Sequence, residues 1–397
     1  MVTRRAVARA GLLLAGVIAA AAGIALACGT GDLSDLTAGR DSGFDAADAA
    51  PPICVHAAPP APPTTTDSPN GPDLTFGIGD LRLDDGEHSG GAEKPQGLDL
   101  DHRCTCAGPV VLEGESCVPP PDAGKRLCDG DAGRDNVAGT LLAVAASLGS
   151  GIGSDVILNQ LRSGSFTAMI TLQGWNHQPD DPHVIVSVLL SSGTEGSQTD
   201  GGRATPKFDG TDVWTVSPDS LLGGNELIGK DCRALALPCV PAKPDVEAYV
   251  KDNVVVAHID LGLPVIIEGG TFQIDFIGAT LLGTLLPENG SYRLAGEITG
   301  RWPVGKMLSA FAGVKNPRTG TALCATDAGL EVYGLVKNTI CTSADLTSDP
   351  TLDNTGARCD ALSNAIAFSA PRATVGTVYR RENAVPTCPG FTDSCPK

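Results

Sequence analysis

The chain has 397 residues, 46 of them acidic against 28 basic, for a formal charge of −18. A ligand for the phosphate backbone needs clustered Lys and Arg. No such cluster occurs, so nucleic acid is excluded as a partner class. Aromatic residues make up 4%, too few for a binding face built from many stacked rings.

The N-terminus reads as an export signal. Arg4, Arg5 and Arg9 precede an uncharged, mostly apolar run from Ala10 to Ala27, and the junction is Ala25-Leu26-Ala27-Cys28-Gly29. A basic start, an apolar middle and small residues before the cut predict a signal peptide over 1–27. The Cys directly after the cut predicts a lipoprotein with lipid on Cys28. In a lipobox Leu stands three residues before the Cys. Here Ala25 holds that place and Leu26 follows it, and the same triplet satisfies the small-x-small rule of a soluble secreted protein, which is the alternative. The second half of the run, mostly Ala with Gly23, is too weakly apolar for a good uncleaved span. Gly29, in place of the Asp that signals inner-membrane retention, points to the outer membrane or the cell surface.

There are 13 Cys. Setting Cys28 aside leaves Cys54, Cys104, Cys106, Cys117, Cys128, Cys232, Cys239, Cys324, Cys341, Cys359, Cys388 and Cys395. An even number suits full pairing in an oxidising compartment. The close pairs Cys232/Cys239 and Cys388/Cys395 suit local loops, and Cys104 to Cys128 reads as a clustered staple. With no C-x-x-C pair and an exported chain, disulfides are expected rather than zinc.

In chain order, residues 28–72 are rich in Pro, Ala and Asp and bury too little apolar surface to offset their ordering entropy. They read as a disordered tether spanning roughly 35–40 Å as a coil. Its Cys54 needs a partner in the body or in another chain. Residues 73–130 read as an acidic, Cys-rich segment packed on the body, opened by a strand signal at Leu74, Phe76 and Ile78. The body proper, 131–319, begins with a helix over Val137–Leu148 for which Asn136 is a plausible N-cap, then a short helix from Asp155 to Arg162. Strand patterns follow at Phe166–Gln173, Val184–Leu190, Asp212–Val216, Val254–Asp260, Leu263–Ile267, Phe272–Ile277 and Tyr292–Thr299. Pro303 opens a helix through Ala312. Residues 320–397 read as a Cys-rich helical and loop part of the same body. Its helix runs from Cys324 to Cys341, with Leu330, Val332, Leu335 and Val336 on the apolar side, and Leu362–Phe368 is ambiguous between helix and strand. Short strands closely spaced by Gly, Pro, Asn and Asp predict a mainly β fold. We expect an antiparallel sandwich or barrel-like body with a few short helices, stapled by disulfides.

Several runs carry a resemblance. They are Gly97-Leu98-Asp99-Leu100-Asp101-His102-Arg103-Cys104-Thr105-Cys106, Cys128-Asp129-Gly130 through Asp135-Asn136, the Asn176–Val184 turn, Asp212-Val213-Trp214, Gly300-Arg301-Trp302-Pro303 and Cys359-Asp360-Ala361-Leu362-Ser363. Together they resemble cysteine-rich surface lipoproteins of myxobacterial type. The resemblance implies a setting and no activity.

The sharpest candidate chemistry is Asp129-Gly130-Asp131-Ala132-Gly133-Arg134-Asp135-Asn136. Closely spaced carboxylates in a Gly-containing loop suit Ca²⁺, which takes six to eight oxygens. The candidate ligands are Asp129, Asp131 and Asp135, with Asp99 and Asp101 near enough in sequence to join them. The loop lacks the twelfth-position Glu of an EF-hand and contains Arg134. It reads more readily as a solvated turn whose Asp135 and Asn136 cap the next helix. The polar turn Asn176–Asp181 beside Trp175 reads as a sugar or metal contact, or as a plain turn set by Pro and Asp. No Gly-x-Ser-x-Gly, His-Glu-x-x-His or phosphate-binding loop occurs, and Gly149–Gly153 follows a helix rather than a strand. His183 or His258 joined to an Asp and a Ser would make a dispersed triad. The expectation is a non-catalytic, envelope-anchored surface lipoprotein. Its body would be a binding, structural or adhesive module for a polymer or protein, with Ca²⁺ as the one candidate cofactor. A secreted hydrolase with a dispersed active site is the alternative.

Overall fold

The computed structural model describes residues 54–64, 69–83, 90–105, 113–120, 129–147, 154–195, 204–267, 270–315, 319–380, 388 and 391–396. Cys28, Cys106, Cys128 and Gly149–Gly153 lie outside them. The architecture is mainly β, as the strand spacing predicts. Nine antiparallel strands form one curled sheet, a half-barrel. They are β1 (Leu74–Gly77), β2 (Asp80–Arg82), β3 (Thr167–Gln173), β4 (Asp181–Ser191), β6 (Pro244–Lys251), β7 (Val254–Ile267), β8 (Gly270–Glu288), β9 (Ser291–Pro303) and β10 (Ala361–Ala370). The order across the sheet is β1-β3-β4-β6-β7-β8-β9-β10-β2. β1 pairs with β3 and β2 with β10, so one run of chain, 74–82, links the first and last strands. Gly77 N and Gly79 N donate to Pro371 O and Ser369 O along the way. A small parallel pair, β5 (Val213–Val216) with β11 (Thr374–Val378), stands apart.

Two hairpins set the register. The β6–β7 turn is Asp252-Asn253 (φ 54° and 64°) and the β8–β9 turn is Asn289-Gly290 (φ 50° and 77°). Both residues of each turn have positive φ, the two-residue type whose twist matches the flanking strands. Only Gly, Asn and Asp enter that region readily.

Side-chain alternation explains how the layers meet. On β3, Ala168, Ile170 and Leu172 enter the main core while Met169 enters a second one. The second core holds Leu189, Trp214, Val216, Val375 and the bridged Cys232 and Cys239. β3 is thus covered on both faces, and six of its seven residues are buried, Thr167 and Thr171 among them. Among the described residues four helices complete the unit: α1 (Val137–Ser147), α2 (Ser154–Arg162), α3 (Val304–Ala312) and α4 (Asp327–Thr342). α1 packs on β10, α2 on β2 and β7, and α3 on β8 and β9. Phe272 of β8 meets both Trp302 and Phe311 edge to face, at centroid distances of 5.7 and 5.2 Å. Val137 N, at the start of α1, donates to Ser363 Oγ on β10. Asn136 spends its amide on Ala365 N and Pro95 O.

Three expectations are corrected. The tether reading ran too far, because residues 54–64 lie on the body. Ala57 exchanges backbone bonds with Ala132 O and Asp99 N, Tyr249 Oη donates to Pro60 O, and Cys54 is bonded to Cys104. The loop Cys388/Cys395 gives way to longer links, Cys324–Cys388 and Cys341–Cys395, and within the Cys104–Cys128 group Cys104 and Cys117 pair outside it, with Cys54 and Cys359, while Cys106 and Cys128 lie outside the described residues. Cys232–Cys239 is the local loop expected. On α4 the buried stripe is Gly329, Tyr333, Ile340 and Cys341, and Leu330, Val332 and Leu335 face outward. The two Cys bridges hold the C-terminal segment against the Tyr333 side, where Phe391 meets the Tyr333 ring edge to face.

Candidate functional site

Two loops converge beside β9 and β10. One is 97–103 and the other 129–136. Asp135 N donates to Leu98 O, and Leu100 N donates back to Asp135 Oδ2. Two glycines permit the approach. Gly97 has φ 86° and a Cβ there would sit 2.3 Å from Asp135 O. Gly133 has φ 69° and a Cβ there would sit 2.5 Å from Asp99 Oδ2 and 3.1 Å from Arg103 O. Any other residue at either position would be strained and would push the loops apart.

The meeting place collects carboxylates. Asp99, Asp101 and Asp135 are all buried, and one oxygen from each lies within 4.8 Å of the other two. Asp99 Oδ2 is 2.5 Å from His56 Nδ1, and Asp99 Oδ1 accepts from Arg103 N. Asp101 accepts from Arg103 N and Ser116 Oγ. Asp129, half-buried, accepts from Thr105 N. A fifth carboxylate, Asp345, lies nearby, partly buried, and accepts from Ser363 N and Oγ. Asp131 is exposed at the start of a single 3-10 turn and is not among the three, which corrects the ligand set expected from sequence. The 129–136 loop supplies one of the three carboxylates and the 97–103 loop supplies two.

Burial and mutual repulsion act on the same groups. Asp101 is raised to about 6, first by burial and then by Asp129 and Asp99. Asp129 and Asp135 are raised too, Asp135 strongly, and burial leads in both. Asp345 is raised to about 7 by burial. His56 is raised chiefly by its hydrogen bond to Asp99. Several buried carboxylates with one half-exposed imidazole between them are short of positive charge. The donor set is hard oxygen, the kind Ca²⁺ takes at about 2.3–2.6 Å, and oxygens sharing one such ion lie no more than about 5 Å apart. The three Asp oxygens meet that limit. Cys54, His56 and Cys104 also stand together, but both sulfurs are spent in their disulfide and offer no thiolate.

The other sequence candidates are occupied or scattered. In the 176–181 turn, Asp181 accepts from Asn176 N and His183 N, Asn176 Oδ1 accepts from Gln178 N, and Asp180 pairs with Lys251 at 3.0 Å. That turn spends its polar groups on itself and on neighbouring Lys251, Asp252 and Pro72. His183 and His258 are exposed on β4 and β7. His258 Nδ1 lies 3.4 Å from Thr280 Oγ1. His56 and Asp345 escaped the sequence reading because each reaches the cluster from a segment with no local pattern of its own. No protein-family model, curated protein or solved structure matches the chain.

Proposed function

We propose that this chain is a non-catalytic surface lipoprotein of a bacterial envelope, anchored through lipid on Cys28. Its disulfide-stapled β body would serve as a binding or structural module, and one Ca²⁺ held by Asp99, Asp101 and Asp135 would lock two of its loops together. The observation that carries the cation reading is the set of three buried carboxylates with oxygens inside 4.8 Å, framed by Gly97 and Gly133. Their repulsion is relieved by a divalent ion, and the ion would tie residues 97–103 to 129–136. Through Asp99 and His56 it would also steady the segment leading from the anchor. The export pattern and the five described bridges support an oxidising, extracytoplasmic setting. Extracellular Ca²⁺ modules work at a Kd of about 10⁻⁴–10⁻³ M, so the site need not be tight.

The test is thermal unfolding of the folded chain in EDTA and in millimolar Ca²⁺. Binding to the folded form alone raises stability by roughly 2.7 kcal/mol at a hundredfold excess over Kd. The wild type should melt higher in Ca²⁺. Asp101→Asn and Asp135→Asn should lose that response, and Asp131→Asn should keep it. A wild type whose melting temperature ignores Ca²⁺ would leave the loop as a helix-leading turn.

A further inference from the structure

We infer that a cleft at the β8–β9 hairpin binds a single neutral sugar residue, such as the end of a polysaccharide chain. This gives the binding-module reading a ligand, and it rests on that reading without using the acidic cluster. The cleft measures about 210 Å³ and opens between the hairpin tip, the 209–211 loop and the Pro371-Arg372 corner that precedes β11. Pockets for drug-sized molecules run about 300–1,000 Å³, so this one suits one small ring.

The lining decides the chemistry. Arg372 lies over the Phe76 ring at 5.6 Å, and its Nη1 donates to Thr75 O at 3.3 Å. Among the described residues no carboxylate pairs with it, so its remaining N–H groups are available to the cleft. Opposite charge is present as well. Asp209 uses Oδ1 on Thr211 N and Oγ1, and Glu288 lies 3.7 Å from Arg293. An anion in the cleft would meet these two acids, and a cation would meet Arg372. A neutral ligand that both donates and accepts fits the mixture, and that describes a ring of hydroxyls. Asn289 adds an amide to the same lining.

Tyr292 supplies the apolar wall. Its ring is held edge-on by Trp175 at 5.0 Å and by His177 at 6.1 Å, and those two rings stack on each other at 4.4 Å. Packing of this kind pre-sets the ring, and a fixed aromatic face costs little entropy on binding. One ring is enough for one sugar, so the low aromatic content is no obstacle.

The experiment is ligand-observed saturation-transfer NMR on the folded chain, run both in EDTA and in millimolar Ca²⁺. The probes are glucose, galactose and N-acetylglucosamine, with glucuronate and glucosamine as charged arms. At least one neutral sugar should take up saturation and neither charged one should exceed it. Arg372→Gln and Tyr292→Ala should weaken binding about tenfold, the loss of roughly one hydrogen bond or ring contact. Because Arg372 also packs on Phe76, Asn289→Gly provides a variant that keeps the turn conformation, and it should weaken binding as well. Asp131→Ala, remote from the lining, should bind as wild type. No transfer to any neutral sugar, equal transfer in all variants, or preference for glucuronate would each overturn the proposal. The cation reading is judged separately by melting in Ca²⁺ and would survive such a failure.

Discussion

Arg301 Nη2 donates to the carbonyl oxygen of Leu100 at 2.7 Å, and Leu100 is the residue between Asp99 and Asp101. The same guanidinium reaches Thr347 O at 2.8 Å and both oxygens of Asp353, with its side chain 3% exposed. A buried cation on β9 therefore fixes the backbone of the acidic loop while paired to a different carboxylate. The loop is held on its other side by Asp135, which accepts from Leu100 N. The geometry of the three carboxylates depends on this support from both directions.

Arg301→Met should destabilise the chain by about 3–5 kcal/mol, because it leaves Asp353 buried without its cation. It should also abolish the Ca²⁺-dependent rise in melting temperature, since the 97–103 loop loses its anchor on β9. Urea unfolding measures the first effect and thermal melting the second. A variant with a wild-type urea midpoint would remove Arg301 from this role.

Stability should depend on pH through Asp345. Burial raises this carboxyl from 3.8 to about 7, so the folded chain holds the proton more tightly than the unfolded chain does. Its favourable contribution is complete below about pH 4 and is lost as pH rises through about 7. A shift of about three pH units corresponds to on the order of 4 kcal/mol. Asp345→Asn keeps a neutral group beside Ser363. In EDTA the variant should be more stable than wild type at pH 8 and should lose most of the difference at pH 4. Parallel urea midpoints at both values would refute the assignment.

How much of this is legible in the sequence follows from where each signal resides. β3 and β4 stand out because one face or both are apolar over many residues, and the Asn289-Gly290 hairpin is local chemistry. β10 stays ambiguous because all ten residues are buried, which erases alternation. β6 is hidden by an exposed first half, Pro244 to Glu247, and β11 by its small size and Gly376. The division of Val254–Ile267 into two strands reflects a real irregularity, a register shift between Ile259 and Leu261. At the site, Asp135, Asp99 and Asp101 lie in two acidic runs visible in the chain, and Asp131 cannot be told from them by type. Its exposure is a property of the turn over Ala132, where φ is 63°. His56 and Asp345 lie 43 residues before Asp99 and more than 200 residues after it in sequence, and only the fold brings them near.

Disulfide pairing gives a further check. Five bridges use ten of the twelve Cys that remain after Cys28. The two left are Cys106 and Cys128. Their sequence neighbours Thr105 and Asp129 are joined by a 2.8 Å hydrogen bond. A non-reducing digest should therefore yield a peptide linking Cys106 to Cys128, together with Cys54 to Cys104. Cys54→Ser should cost about 2–5 kcal/mol and free the Cys104 thiol to alkylation. Recovery of Cys106 and Cys128 as free thiols in the native chain would contradict the sixth bridge.

The anchor is tested by partitioning between detergent and water. Stable membrane attachment needs two signals, because a single acyl chain binds only marginally. A bacterial lipoprotein carries three acyl chains on its first Cys, which meets that need with no help from the body. No helix among the described residues is long and apolar enough to cross a membrane. Full-length chain expressed with its signal in a bacterial host should enter the detergent phase, and Cys28→Ala should move it to the aqueous phase. Intact mass should rise in wild type by the lipid and lose residues 1–27. If the wild type is cut before Cys28 yet stays aqueous and unmodified, the junction Ala25-Leu26-Ala27 is an ordinary secretory site. The protein is then released rather than held.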